Sequence, residues 1–191
     1  VAALILDNSE ITIPNVNINK YRTGIITILE KMGANITIVN KRRDSNEEIG
    51  DLIIKSSQLK SLNIGGKVIS TLIDELPILF IACAVSKGVS KISGIQELRY
   101  KESDRIKSME EGLISVGIKV TSTIDSIEIN GGEILGGKIN SYGDHRIAMA
   151  FAIAALVSKK SITIVDTQNI STSFPNFIDL MREQGANVYE L

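Results

Sequence analysis

Three segments of the chain repeat one pattern of apolar and polar positions. In each segment, apolar residues three and four positions apart predict an amphipathic helix, and a glycine and a short apolar strand pattern follow. The segments run from Leu29 to Ile36, from Leu113 to Val120 and from Leu180 to Val188. A glycine suits the left-handed position just after a helix, so each segment predicts a helix, a sharp turn and a strand.

Two further elements precede each of these helices. One is a short β-branched strand, at Ile11–Ile13, Val89–Ile92 and Ile162–Val165. Before each strand comes an apolar stretch that contains alanine, at residues 2–6, 76–85 and 147–157. A helix that is apolar on nearly all sides must be enclosed by protein, so these stretches predict buried helices.

The repeated unit predicts an α/β fold in one domain, residues 1–191. The repeats cover roughly residues 1–70, 71–140 and 141–191, and extra strands are predicted at Asp51–Ile54 and Ser126–Ile129, with a hairpin-prone turn at residues 130–132. Three such units can close around a pseudo-threefold axis, with the helices inside and the sheets outside. An open α/β sandwich fits the same periodicity. No helix start signal precedes Val1, so we expect the chain to enter the domain inside its first helix.

Charge and composition exclude several classes of protein. The net charge is -1 with 23% charged residues, which leaves no broad basic surface for nucleic acid or an acidic membrane. No apolar run reaches the length of a membrane span and no signal peptide is apparent, so a cytoplasmic location is expected. The single cysteine, Cys83, and the single histidine, His145, exclude an internal disulfide and a multi-histidine metal centre. Cys83 lies in an apolar run and is expected to pack in the core.

The second repeat carries the first cluster of candidate chemistry. Lys101 and Arg105 are four residues apart, and they share a face if the helix that follows begins at residue 101. Cations at a helix N-terminus are unfavourable, so a bound anion would explain them. The competing interpretation is a solvated face with an ion pair between Glu102 and Arg105.

The two intact apolar helices both begin next to acidic residues. Asp144 is predicted to cap the helix at residues 147–157, and Asp74 to cap the helix that contains Pro77. Arg146 lies in the first turn of a buried helix and must find a carboxylate or a ligand anion. His145 either orients a neighbour or acts as an acid, and a purely structural role competes with both. Acids and cations that converge in this way predict proton transfer on an anionic substrate.

Two loops complete the set of candidates. Residues 19–24 open the helix of the first repeat, where Arg22 faces either the same site or the solvent. Residues 171–175 offer an N-cap and a proline to the helix of the third repeat.

Five motifs together resemble the EPSP synthase family. They are Leu98-Arg99-Tyr100-Lys101-Glu102-Ser103-Asp104-Arg105, Asp74-Glu75-Leu76-Pro77, Gly143-Asp144-His145-Arg146, Thr172-Ser173-Phe174-Pro175, and Asn19 to Gly24 followed by Met32-Gly33-Ala34. The resemblance implies the second of two domains, an inside-out α/β barrel (EPT/RTPC-like) of three βαβαββ units around buried helices. It also implies a partner, the N-terminal domain that supplies the other half of the active site, and a monomeric enzyme.

The family transfers the enolpyruvyl group of phosphoenolpyruvate to the 5-hydroxyl of shikimate 3-phosphate and releases phosphate. The step belongs to the shikimate pathway of aromatic amino-acid biosynthesis and needs neither metal nor redox cofactor. By matching position, Asp74 resembles the base, Glu102 the proton-transfer carboxylate and His145 an accessory group. The substrate-binding positions are Lys101 for shikimate 3-phosphate, and Arg105 and Arg146 for phosphoenolpyruvate, with Asp144 beside them.

Two positions depart from the family pattern. Some members carry lysine at the position of Thr172, and some carry asparagine at that of Glu97, where an inward carboxylate would repel phosphate. Two other functions stay open at this point. One is a domain similar to UDP-N-acetylglucosamine 1-carboxyvinyltransferase, and the other is a non-catalytic binding module of the same fold. Without an N-terminal domain, the chain is expected to be inactive.

Overall fold

The computed structural model describes residues 1 to 189 and shows a mixed α/β fold. The α-helices are α1 (Ala2–Ile5), α2 (Gly24–Lys31), α3 (Leu76–Ala84), α4 (Arg105–Ser115), α5 (His145–Ala155), α6 (Asn169–Ser173) and α7 (Phe177–Glu183). The strands are β1 (Glu10–Asn17), β2 (Asn35–Asp44), β3 (Glu47–Lys55), β4 (Asn63–Ile64), β5 (Val89–Ser93), β6 (Lys119–Ser122), β7 (Ser126–Asn130), β8 (Gly137–Asn140) and β9 (Ile162–Val165). Three 3-10 helices cover Gly66–Thr71, Ile73–Glu75 and Gln96–Tyr100.

The strands form three separate sheets. The first is antiparallel with the order β1-β3-β2, and the second has the order β4-β5-β7-β6. The third consists of β8 and β9, which run parallel. The strands predicted from β-branched runs are confirmed in all three sheets. Within residues 1–189 the strands do not join into a closed barrel.

The apolar helices lie inside, as the sequence predicted. Every residue of α3 except Ile78 is buried, and α3 packs against α5. Cys83 lies within α3 and is fully buried, and this burial raises the pKa of its thiol to about 12. The cysteine is therefore a packing residue, because a nucleophilic cysteine needs a lowered pKa and access to solvent.

The predicted glycine follows the last turn of each amphipathic helix. Gly33, Gly117 and Gly185 have φ angles of 93°, 93° and 90°, in the left-handed region that side chains with a Cβ rarely adopt. The apolar face predicted for α4 is also confirmed, since Ile106 and Met109 are fully buried. The three helices thus share the same left-handed glycine just after their last turn.

Three local predictions were wrong. Residues 186–188 lie in no strand, and the third sheet consists of β8 and β9 alone within the described residues. Residues 130–132 form no hairpin: Gly131 and Gly132 donate backbone hydrogen bonds to Gly88 and Ala84, and the chain crosses to another sheet. Residues 171–175 cap nothing, because α6 runs into them and the residue before α7 is Asn176, whose side chain forms no cap bond.

The helices in the described part of the chain are short. None of those within residues 1–189 is long and apolar enough to cross a lipid bilayer.

Candidate functional site

The loop that enters α4 carries the first group of charged residues. Helix α4 begins at Arg105, and the side chain of Asp104 caps it by accepting a hydrogen bond from the backbone N–H of Lys107 at 3.0 Å. Lys101 precedes the helix and follows the 3-10 helix Gln96–Tyr100, so Lys101 and Arg105 do not share a helical face. They are brought together by the folding of the loop.

Arg105 is the centre of the cluster. Its side chain is only 1% exposed, and it binds three carboxylates from three parts of the chain. Its Nε donates to Asp144 Oδ2 at 2.7 Å, its Nη1 to Asp74 Oδ1 at 3.3 Å and its Nη2 to Glu102 Oε2 at 2.5 Å. The predicted ion pair between Glu102 and Arg105 is confirmed, but the solvated face is wrong for Arg105, because its guanidinium is buried and held by charge-assisted hydrogen bonds.

Asp144 joins α5 to this centre. Its Oδ1 accepts the backbone N–H of Arg146 at 2.9 Å, which confirms the predicted N-cap. Its Oδ2 accepts from Arg105 and, at 3.2 Å, from the hydroxyl of Ser103. The residue is fully buried, so protein donors occupy both oxygens of the carboxylate.

Asp74 does not cap α3, and that prediction was wrong. Helix α3 begins at Leu76, and Asp74 lies two residues earlier in the 3-10 helix Ile73–Glu75. Pro77 does stand in the first turn of α3, as predicted. The Asp74 carboxylate instead faces cations from two other segments of the chain.

Three cations surround the Asp74 carboxylate. The Nζ of Lys101 is 3.5 Å from it, the Nη1 of Arg105 3.3 Å and the Nη2 of Arg146 4.0 Å. Arg146 also donates from Nη1 to the backbone carbonyl of Asp74 at 2.9 Å. Burial is the largest single influence on the pKa of Asp74 and raises it, but the attraction of Arg146, Lys101 and Arg105 together exceeds burial and lowers the pKa below its ordinary value.

Replacing Asp74 by asparagine tests this electrostatic arrangement. A lowered pKa means that ionised Asp74 adds stability above its ordinary pKa of 3.8, and this stability is lost as the pH falls through the lower value in the folded state. We expect the stability of the unaltered chain to fall more steeply below about pH 4 than that of the Asp74→Asn variant. Urea unfolding from about pH 5 to pH 2.5 measures both slopes. Parallel slopes would contradict the arrangement.

Glu97 gives Lys101 a second partner. The Nζ of Lys101 lies 2.7 Å from Glu97 Oε1, which is shorter than its distance to Asp74. The hydrogen bond to Glu97 is the main cause of the raised pKa of Lys101, and the nearby Asp74 charge adds to it against the opposing effect of burial.

Arg99 belongs to the site, although it was not among the candidate residues predicted from the sequence. Its guanidinium donates from Nε to the carbonyl of Ile124 at 3.0 Å and from Nη2 to that of Thr123 at 2.5 Å. Its Nη1 donates to the Asp104 carboxylate at 2.7 Å. Arg99 thus ties the β6–β7 turn to the N-cap of α4, and so to the loop that holds Lys101 and Glu102. The one signal in the sequence is its place in the charged motif from Leu98 to Arg105.

Arg99→Ala should loosen the loop between residues 100 and 105. It removes bonds from a charged donor that is largely buried, worth about 1.5–3 kcal/mol in total after partial replacement by water. We expect that loss in unfolding free energy, together with shifted amide resonances for residues 101–105 in a ¹⁵N correlation spectrum. Arg182→Ala is the matched control, since Arg182 donates to Val188 far from this loop. Equal spectral changes in the two variants would contradict the role of Arg99.

The remaining candidates lie further from this network. His145 is the first residue of α5 and is half-buried, and its ring has no hydrogen-bond partner among residues 1–189. Arg22 is exposed before α2, and Thr172 is exposed in α6. The structure therefore brings Asp74, Glu102, Asp144 and the three cations into direct contact and leaves the other candidates outside that network.

Comparison with known proteins places the chain in one family. A sequence model of EPSP synthase (3-phosphoshikimate 1-carboxyvinyltransferase) matches residues 1–181. The 3-phosphoshikimate 1-carboxyvinyltransferase of Legionella pneumophila (strain Paris) is 48% identical over 178 residues, which cover 93% of this chain and 41% of the relative. The protein of the same name from Geobacter metallireducens is 43% identical, over 97% of this chain and 44% of the relative.

Solved structures show the same relationship. The EPSP synthase of Acinetobacter baumannii superposes with a TM-score of 0.92 at 42% identity, covering 95% of this chain and 43% of that one. The enolpyruvyl transferase NikO of Streptomyces tendae shares the fold, with a TM-score of 0.74 at 15% identity over 97% of this chain and 41% of NikO. The chain spans less than half the length of these proteins. With the family sequence model matching residues 1–181 and close structural agreement at 42% identity, this chain belongs to the EPSP synthase family.

Proposed function

We propose that this chain supplies one half of the active site of an enzyme that makes 5-enolpyruvylshikimate 3-phosphate. The observation that carries the proposal is the contact of Arg105 with three carboxylates, those of Asp74, Glu102 and Asp144. Asp74 also pairs with Lys101 and Arg146. Convergent cations suit two phosphorylated substrates, and convergent acids suit proton transfer between them.

The proposed roles follow the contacts. Lys101 binds shikimate 3-phosphate, whereas Arg105 and Arg146 bind phosphoenolpyruvate as charge-assisted donors. Asp144 is fully buried with both oxygens occupied, so we assign it to positioning Arg105 and the start of α5 beside the substrate. His145 lies between Asp144 and Arg146 in the sequence and acts as an accessory group beside the substrates.

The reaction proceeds by addition and then elimination. In the addition, the 5-hydroxyl oxygen bonds to C2 of phosphoenolpyruvate, its proton passes to Asp74, and Glu102 gives a proton to the C3 methylene. In the elimination, the bond from C2 to the phosphate oxygen breaks, phosphate leaves with the C–O electron pair, and C3 returns a proton to Glu102 as the double bond forms again. The proton held by Asp74 leaves with phosphate or passes to water.

Substrate binding itself would make Asp74 a better base. In this structure, the cations around Asp74 lower its pKa. The lowered pKa favours the ionised carboxylate but makes it a weaker proton acceptor. Phosphate and carboxylate groups of the substrates attract Lys101 and Arg146 and add negative charge nearby. Both effects raise the pKa of Asp74 when the site fills, as a general base requires.

We also propose that the chain forms one domain built from three repeats. The three glycine-terminated helices and the enclosed α3 and α5 support three repeats, near residues 1–70, 71–140 and 141–191, in one inside-out barrel domain. The share of the relatives that the chain spans supports a separate N-terminal half as its partner. We propose a monomeric, cytoplasmic enzyme, and the single, buried cysteine is compatible with a reducing compartment.

The two other candidate functions have less support. The family match and the relatives named 3-phosphoshikimate 1-carboxyvinyltransferase favour the shikimate enzyme over one that acts on UDP-N-acetylglucosamine. A binding module alone would have no use for Glu102, a half-exposed carboxylate bonded to the central arginine.

Ligand titration tests the proposal. Shikimate 3-phosphate is added to the ¹⁵N-labelled chain with and without phosphoenolpyruvate, and amide shifts are followed. We expect saturable shifts around residues 74, 101–105 and 144–146, and none with UDP-N-acetylglucosamine. Shifts with UDP-N-acetylglucosamine alone would support the competing enzyme. Phosphate release by the chain alone would refute the requirement for a second half.

A further inference from the structure

We propose that Glu97 is an affinity-determining residue, a resident counter-ion that a phosphorylated ligand must displace from Lys101. The inference rests on the proposed function, since it needs a phosphate to approach Lys101. It concerns a residue to which the proposed chemistry gives no role.

The geometry sets Glu97 apart from the other carboxylates. Glu97 Oε1 lies 2.7 Å from Lys101 Nζ, which makes it the nearest acid to that cation. Asp74, Glu102 and Asp144 all bond to Arg105, whereas Lys101 is the one ion-pair partner of Glu97 within residues 1–189. Among the cations of the cluster, Glu97 forms an ion pair with Lys101 and with no other described residue.

Glu97 is free to leave. Its side chain is 65% exposed, whereas that of Lys101 is only 22% exposed. The 3-10 helix that carries it, Gln96–Tyr100, is fixed by Arg99 and by the bond from the backbone N–H of Gln96 to the Asp125 carboxylate. The Glu97 side chain can therefore rotate into water without any movement of the backbone that carries Lys101.

The balance of charge gives the consequence. The cluster holds one more carboxylate than it holds cations, the members being Asp74, Glu97, Glu102 and Asp144 against Lys101, Arg105 and Arg146. The excess negative charge disfavours a phosphate ligand. A phosphate at Lys101 must replace the ion pair with Glu97 and then tolerate the nearby carboxylate. Glu97 therefore weakens the binding of anions and keeps Lys101 in place when the site is empty.

Removal of the Glu97 charge should tighten the binding of phosphorylated ligand. An exposed ion pair is worth at most about 1 kcal/mol, so Glu97→Gln should lower the Kd for shikimate 3-phosphate by about two- to fivefold. Shikimate, which has no phosphate, should bind with unchanged affinity. The matched control is Glu133→Gln, which removes the same charge from an exposed pair with Lys159 elsewhere and should change neither Kd.

The lysine itself provides a second measurement, without ligand. Because the hydrogen bond to Glu97 raises the pKa of Lys101, this pKa should fall in Glu97→Gln and stay the same in Glu133→Gln, as followed by NMR of the lysine side chain. An unchanged pKa, or an unchanged or higher Kd for shikimate 3-phosphate in Glu97→Gln, overturns the inference. If the unaltered chain shows no saturable binding of shikimate 3-phosphate while the pKa of Lys101 does fall in the variant, the proposed function fails instead.

Discussion

Replacing Asp144 by alanine should lower the free energy of unfolding by about 3–5 kcal/mol, because it leaves a buried arginine without its one fully buried carboxylate partner. Arg105 is 1% exposed and Asp144 is fully buried, so water cannot replace the lost bond at Arg105 Nε without entering the core. The substitution also removes the cap of α5, whose loss costs about 1 kcal/mol within that total. Urea denaturation monitored by circular dichroism measures the change.

Two further variants separate the charge from the cap. Asp144→Asn keeps an oxygen that accepts the Arg146 N–H, so it should lose only the part that comes from the charge. The double variant Arg105→Met with Asp144→Ala should be more stable than Asp144→Ala alone, because no unpaired charge stays buried. If the double variant is the less stable of the two, the buried pair is not the source of the loss.

Replacing Glu102 by glutamine should lower turnover by about 10²- to 10⁴-fold, once this chain is joined to the remaining part of a family member and enolpyruvyl transfer is restored. Glutamine keeps an oxygen that accepts the hydrogen bond from Arg105 Nη2, so the position of Arg105 is preserved. It carries no exchangeable acid proton for the C3 methylene. The loss should therefore appear in kcat, with little change in the affinity for shikimate 3-phosphate.

The control for Glu102→Gln is a variant that removes the same charge elsewhere. Glu133→Gln changes the same charge in an exposed pair far from the site and should turn over at the rate of the unaltered protein. Turnover of Glu102→Gln within about threefold of that rate would remove Glu102 from proton transfer, because general acid–base catalysis contributes far more than this. The assignment would then pass to another acid of the cluster.

The capping predictions show why sequence reasoning succeeded at one helix and failed at the other. Asp144 directly precedes α5 and caps it, as the sequence indicated. Asp74 has the same residue type before an apolar helix, but a 3-10 turn intervenes and Glu75 takes the position before α3. The three cations around the Asp74 carboxylate are Lys101, Arg105 and Arg146, which come from later segments of the chain, and no local pattern reports them.

The loop from Lys101 to Arg105 shows the same limit. Its sequence predicted cations in need of negative charge, and that need is real. The sequence left two sources of that charge open, a bound anion and an ion pair between Glu102 and Arg105. In the structure the ion pair with Glu102 forms, and protein carboxylates from other segments also contribute: Glu97 for Lys101, and Asp74 and Asp144 for Arg105. The identity of these partners depends on side chains that approach from other elements.

The sequence by itself determined the local elements. The spacing of apolar residues, the β-branched runs and the glycines at 33, 117 and 185 act over one or two turns of chain. They specified the helices, the helix ends at these glycines and the strands at the β-branched runs, but not the absence of a strand at residues 186–188. Only the tertiary structure decided which charges meet, that Arg105 is buried, and that Arg99 fixes the loop beside it. Those outcomes arise from packing between distant segments, where desolvation and pairing of charges are settled together.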